Sequence, residues 1–239
     1  MWDWSLEPTA ALYAAQNACE PLHPQFDYLK NTVSVVNDHY RAYRGYKVTA
    51  EVYDLDMRRI DAQSATVDLP EDGVANDLLT LDFSASKTPV QFIKLKLFDE
   101  QGKQAGSNFY WRSDNEYKGA NTLTGPATAG FQALGELART KVAASYRTSV
   151  SGGNHFIDLR LKNTGRTVAF FTQIQWLDGT RKPVRPSFYT DNFLCLMPGE
   201  SRTVRIETAL GKLPEAEYML VVRGFNLDTR EFRVKIDRP

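Results

Sequence analysis

Thr32-Val33-Ser34-Val35-Val36, Tyr46–Tyr53 and Phe92–Phe98 alternate apolar with polar side chains, and the pattern returns in Phe156–Leu161, Phe170–Trp176, Thr203–Ile206 and Tyr218–Val222. A period of two sends successive side chains to opposite faces of an extended chain, so each run reads as a half-buried strand. Turn signals separate the runs at short spacing: Asn37-Asp38, Arg44-Gly45, Glu71-Asp72-Gly73 and Asp99-Glu100-Gln101-Gly102. Parallel strands would need crossover helices, and no helical period intervenes, which leaves an antiparallel, all-β architecture.

Strands are expected at 23–29, 32–38, 46–54, 58–69, 76–84, 89–99 and 104–112, about the number of one immunoglobulin-like sandwich. Residues 113–140 break the pattern with Gly119, Gly125, Pro126 and Gly130, after which Phe131, Leu134 and Leu137 recur at helical spacing. This reads as a linker with a short helix. Alternation then resumes, so 23–112 and 141–239 are expected to be two tandem sandwiches. Residues 6–18 read as the N-terminal helix, with Pro8 near its start and Pro21 and Pro24 beyond its end. The halves also resemble each other: a strand ending on Asn37, a turn and a strand closing on Leu55-Asp56 parallel a strand ending on Asn163, a turn and a strand closing on Leu177-Asp178. Self-similarity at one domain's length indicates duplicated units rather than a solenoid.

Composition excludes several function classes. The 239 residues carry 29 Lys+Arg against 29 Asp+Glu, with no long basic run, so nothing draws in nucleic acid or an anionic membrane. The longest apolar stretches, such as Val168–Phe171, fall far short of the roughly 20 residues that span a bilayer. Cys19 and Cys195 lie far apart in regions assigned to different units, which reads as two buried free thiols.

No convergent catalytic arrangement stands out. His23, His39 and His155 lie in different contexts without ligand spacing, so they read as turn or surface residues and no metal or cofactor is expected. Ser151-Gly152-Gly153-Asn154 joins two strands, which suits a hairpin rather than a phosphate loop. Asp54, Asp56, Asp99, Asp178 and Asp228 stand at strand ends or turns, where aspartate bonds nearby backbone N–H groups. Exposed aromatic rings can stack on a sugar. Trp176 shares a side of its strand with Phe170, Thr172 and Ile174 and reads as a core tryptophan, while Trp111 stands open between core packing and sugar contact. The polar, aromatic loop Arg185–Asn192 supplies the other carbohydrate-contact candidates, Tyr189, Asp191 and Asn192; its plainer reading is a strand-to-strand crossover.

Specific text carries a resemblance. Trp2-Asp3-Trp4-Ser5-Leu6-Glu7-Pro8-Thr9-Ala10-Ala11 and Cys19-Glu20-Pro21-Leu22-His23-Pro24-Gln25 resemble the junction where the last barrel helix of glycoside hydrolase family 2 enzymes enters the next Ig-like domain. Val33–Asn37, Val52–Asp56, Asn108–Trp111, Leu161–Thr164 and Asp191–Glu200 extend the match over nearly the whole chain. The nearest branch holds exo-β-D-glucosaminidases, β-mannosidases and plant-type mannosylglycoprotein endo-β-mannosidases.

The resemblance implies a retaining parent enzyme whose two catalytic glutamates lie in a (β/α)8 barrel, of which residues 1–22 are a remnant. No catalytic residue is carried over, so this chain is expected not to be an enzyme. The catalytic barrel of the parent and an oligosaccharide are the implied partners, and the parent is expected in the periplasm or outside the cell. Separation from the barrel would leave Trp2, Trp4, Leu6, Leu12 and Tyr13 exposed or repacked. Three roles stay open: an accessory unit packed on the barrel and shaping the substrate cleft, an independent carbohydrate-binding module, and a structural spacer.

Overall fold

In the computed structural model, residues 1–4, 7–114, 129–213 and 217–236 are described. They divide into two compact units, Ala14–Leu137 and Met1–Tyr13 with Ala138–Pro239. The division falls inside α1 (Ala10–Ala18), after Tyr13.

Among its described residues the first unit holds seven strands: β1 (Leu22–Asp27), β2 (Thr32–Asn37), β3 (Tyr43–Asp54), β4 (Arg59–Leu69), β5 (Gly73–Thr80), β6 (Val90–Phe98) and β7 (Gln104–Ser113). They form two antiparallel sheets in the orders β1-β2-β5 and β4-β3-β6-β7. The inward residues of the alternating runs, among them Val33, Val35, Val48, Ala50, Val52, Ile93, Leu95 and Leu97, make one core in which each of these eight is fully buried. Complete burial of such a side chain contributes about 1.5–3 kcal/mol for the larger ones.

The second unit pairs β8 (Val142–Ser151), β9 (Asn154–Asn163), β11 (Phe188–Tyr189) and β13 (Ser201–Ala209) in one sheet, ordered β11-β13-β9-β8. The other holds β10 (Ala169–Asp178), β12 (Leu194–Leu196), β14 (Tyr218–Gly224) and β15 (Leu227–Val234), ordered β12-β10-β14-β15. Trp176 lies at 0% exposure in its core, beside Ile157, Leu159, Ile174, Val204 and Leu220. Both units are Ig-like sandwiches, and the Gly152-Gly153 pair, at φ of 56° and 77°, closes the β8–β9 hairpin.

The duplication is visible in hydrogen bonds. Asn37 Nδ2 donates to the carbonyls of Arg41 (2.8 Å) and Pro70 (2.6 Å), residues 4 and 33 positions on. Asn163 Nδ2 donates to Thr167 and Leu196, both at 2.8 Å and at the same two offsets. Each Asn Oδ1 accepts the N–H two residues on, from His39 and Gly165. Asp54 and Asp178 also match: each carboxylate takes the N–H four residues on, from Arg58 and Lys182, across turns that hold Met57 and Arg181 at φ of 62° and 65°.

Several expectations are corrected. The helix expected over 6–18 begins at Ala10, because among the described residues before it Met1–Asp3 and Glu7–Thr9 bond to each other. Trp2 bridges Pro8, Asp3 N donates to Glu7 O (3.0 Å), Glu7 N donates to Asp3 Oδ1 (2.9 Å) and Thr9 N donates to Met1 O (3.1 Å). The strand expected at 76–84 is Gly73–Thr80, since the Asp82 carboxylate takes the Ser84 N–H at 2.8 Å and closes a turn. His23 and His155 are buried rather than superficial, at 5% and 0% exposure. Cys19 is exposed just beyond the end of α1 and Cys195 is half-buried, both as free thiols. The helical signal of Phe131, Leu134 and Leu137 takes the form of a 3-10 helix, Ala129–Glu136, with Leu134 and Leu137 buried; Gly119, Gly125 and Pro126 lie outside the described residues, as does Leu6.

Candidate functional site

The strand that organises the candidate site is β10. It pairs with β14 along Gln173–Asp178, but its opposite neighbour β12 is only three residues long and meets it at Ala169 and Thr172. Beyond that point the β10 edge would expose unpaired backbone groups, an arrangement folded proteins avoid. Side chains take over the ladder. Asn192 Oδ1 accepts from Ile174 N at 2.8 Å, Asn192 Nδ2 donates to Ile174 O at 2.9 Å, and the Tyr189 hydroxyl accepts from Trp176 N at 3.0 Å. Val184 N then donates to Trp176 O at 3.0 Å.

The opposite face of β10 from the core presents Gln173 and Gln175, because both alternate with buried Ile174 and Trp176. Together with the Met1–Tyr13 arm they border a cleft of about 790 Å³. Arg223 stands across from Gln173 in register on β14 and donates from Nε to Gln173 Oε1 at 2.8 Å. On the arm side, Glu7 Oε1 accepts from Arg185 Nε at 2.8 Å. Tyr13 is buried with its ring 6.1 Å from that of Phe193; burial, partly offset by a hydrogen bond with Asn192, pushes its phenol up to about 12. Burial likewise raises the Tyr189 phenol above its ordinary value. Trp4, at 96% exposure, stands at the margin, and Trp2 (53%) and Phe188 (61%) are exposed on an adjoining depression.

Of the four sugar-contact candidates, Tyr189 and Asn192 line this cleft, with their polar atoms committed to the β10 edge. Asp191 accepts from Asn192 N at 2.8 Å and lies 3.8 Å from Arg202. Trp111 lies on β7 in the first unit, half-buried, and its carbonyl accepts from the Tyr28 hydroxyl at 3.2 Å. The sequence reading did not single out Glu7, Gln173, Gln175 or Arg223. The two glutamines were legible as the outward half of an alternating run, but nothing in that run shows that the arm folds over toward them. Among the described residues no group of three or more His, Cys, Asp and Glu side chains is placed to hold a metal ion.

Comparison with known proteins shows what the chain is similar to. Residues 121–227 match the family described as the exo-beta-D-glucosaminidase Ig-fold domain. That match covers a little under half of this chain. The chain is 30% identical over 235 residues to an exo-beta-D-glucosaminidase of Streptomyces avermitilis, covering 94% of this chain and 26% of that protein. It is 28% identical over 241 residues to the exo-beta-D-glucosaminidase of Amycolatopsis orientalis, covering 96% and 23%. The chain therefore spans about a quarter of the length of the curated relatives it matches. The crystal structure of the A. orientalis exo-chitosanase CsxA superposes with a TM-score of 0.85 at 26% identity, over 98% of this chain and 29% of that one. A β-D-mannosidase from Dictyoglomus thermophilum shares the fold at a TM-score of 0.65 and 15% identity. The Ig-fold domain thus sits in a chain homologous to glycoside hydrolase family 2 enzymes, as its Glu-Pro-Leu-His and Leu-x-Pro-Gly-Glu texts led one to expect.

Proposed function

We propose that this chain is a non-catalytic accessory region of a glycoside hydrolase that releases β-linked glucosamine, and that it stabilises the catalytic domain by packing on it. The observation that carries this reading is the continuous match of 94% of the chain to 26% of an exo-beta-D-glucosaminidase. The two carboxylates in the cleft do not favour hydrolysis here. A glycosidase flanks the scissile bond with its acid and its base or nucleophile. Asp3 and Glu7 instead lie on one folded-back arm, tied together by the bond from Glu7 N to Asp3 Oδ1, with Glu7 paired to Arg185. The exposed Trp2 and Phe188, which share a depression beside the cleft, suit burial against another domain, and that domain, in this reading, is the catalytic barrel.

Two assays test the proposal. The chain alone should leave p-nitrophenyl-β-D-glucosaminide intact, whereas a separately produced catalytic region should gain thermal stability when the chain is added. Hydrolysis by the chain itself, or no stabilisation at saturating concentration, would overturn it.

A further inference from the structure

We propose that the cleft between the Met1–Tyr13 arm and the outer face of the β10–β14 pair binds a short oligosaccharide, recognising it through its hydroxyl groups. This goes beyond the accessory role and does not depend on it. The volume, about 790 Å³, lies within the range of small-molecule sites, roughly 300–1,000 Å³. The floor consists of side chains fixed on two paired strands, which positions them more rigidly than a loop would.

The chemistry of the lining narrows the ligand. Two acids, Asp3 and Glu7, face two bases, Arg185 and Arg223, so the cleft has no net charge to select a polyanion or a polycation. Arg185 meets Glu7 through Nε, and Arg223 meets Gln173 through Nε, so the terminal guanidinium nitrogens lie outside both bonds. Among the described residues nothing bonds the Gln175 side chain, whose amide offers two donors and an acceptor in one plane. Hydroxyl groups both donate and accept; a planar amide matches that duality, and the guanidinium groups add donors for the hydroxyl oxygens. Trp4 adds an exposed aromatic face on which the C–H side of a sugar ring can stack.

A peptide added as a further strand is a poorer fit. It would need the backbone groups of the β10 edge, and those at Ile174 and Trp176 are already taken by Asn192, Tyr189 and Val184. A lipid chain would find amides and ion-paired groups where it needs hydrocarbon.

The test is calorimetric and fluorescence titration of the intact chain with glucosamine tetramer and with cellotetraose. Both should bind, within about tenfold of each other and with little dependence on salt, because neither is selected by charge. Gln175→Ala and Trp4→Ala should each weaken binding about tenfold or more. Trp4 is exposed and Gln175 faces away from the core, so both variants should keep the wild-type melting temperature; Trp111→Ala, in the other unit, should leave affinity unchanged. No binding at about 10 mM sugar overturns the proposal. So does binding of the glucosamine tetramer alone, binding lost with Trp111→Ala, or binding that survives both cleft variants. A negative result here with stabilisation of the catalytic region retained would remove the saccharide site and leave the accessory role standing.

Discussion

Asn163 is wholly buried and engages four partners: the carbonyls of Thr167 and Leu196, the N–H of Gly165 and the hydroxyl of Thr140. Removing such a side chain leaves several buried polar groups without partners, each worth about 1–3 kcal/mol. Asn163→Ala should therefore destabilise its unit by at least about 3 kcal/mol, read as a fall in the urea midpoint with an unchanged slope. Tyr189 makes a narrower contribution. Tyr189→Phe keeps the ring and deletes the acceptor of Trp176 N, so a loss of about 1–3 kcal/mol is expected. Sugar affinity should be unaffected, because that hydroxyl serves the backbone of β10. A Tyr189→Phe variant of full stability would show that water replaces the phenol without cost.

At the scale of elements, side chains that cross between neighbouring strands set both register and pH response. Asp158 on β9 lies opposite Arg205 on β13, and both oxygens accept from the guanidinium, at 2.7 and 2.8 Å. The hydrogen bond to Arg205 holds the carboxyl below its ordinary value. A depressed folded value means that the contribution is present above the unfolded value of about 3.9 and is lost as pH falls through the folded one. The stability gap between wild type and Asp158→Asn should accordingly be flat above about pH 5 and shrink below pH 4, as followed by thermal melts. A gap independent of pH would mean that the pair contributes nothing through charge. Element identity was largely legible because alternation reports burial directly: β2, β3, β4, β6 and β7 lie within a few residues of their expected limits. What escaped were ends decided by a single side chain, such as the turn at Asp82 and the bend at Asp3, where a local carboxylate competes with the ladder or helix. The candidate site was legible in part for the same reason. Tyr189 and Asn192 were visible as a polar, aromatic loop, but their use as substitute ladder partners depends on where β12 stops, which no local pattern encodes.

At the scale of the molecule, each unit has its own apolar cluster, and the repeated asparagine clasp and aspartate turn mark them as copies of one design. One unit is continuous in sequence and the other is not, since Met1–Tyr13 belongs with Ala138–Pro239. On a ribosome, Ala14–Leu137 can complete both of its sheets as soon as it emerges. The arm cannot settle then, because Arg185, Asn192 and Phe193, which receive Glu7 and Tyr13, have not yet been made. At about 5–20 residues per second, the stretch between Tyr13 and Ala138 alone imposes a delay of roughly 6–25 s. Throughout that interval Tyr13 lacks Asn192 and Phe193, the neighbours beside which it is buried in the finished unit, so the segment around it is one for which a chaperone would compete with the chain's own later residues.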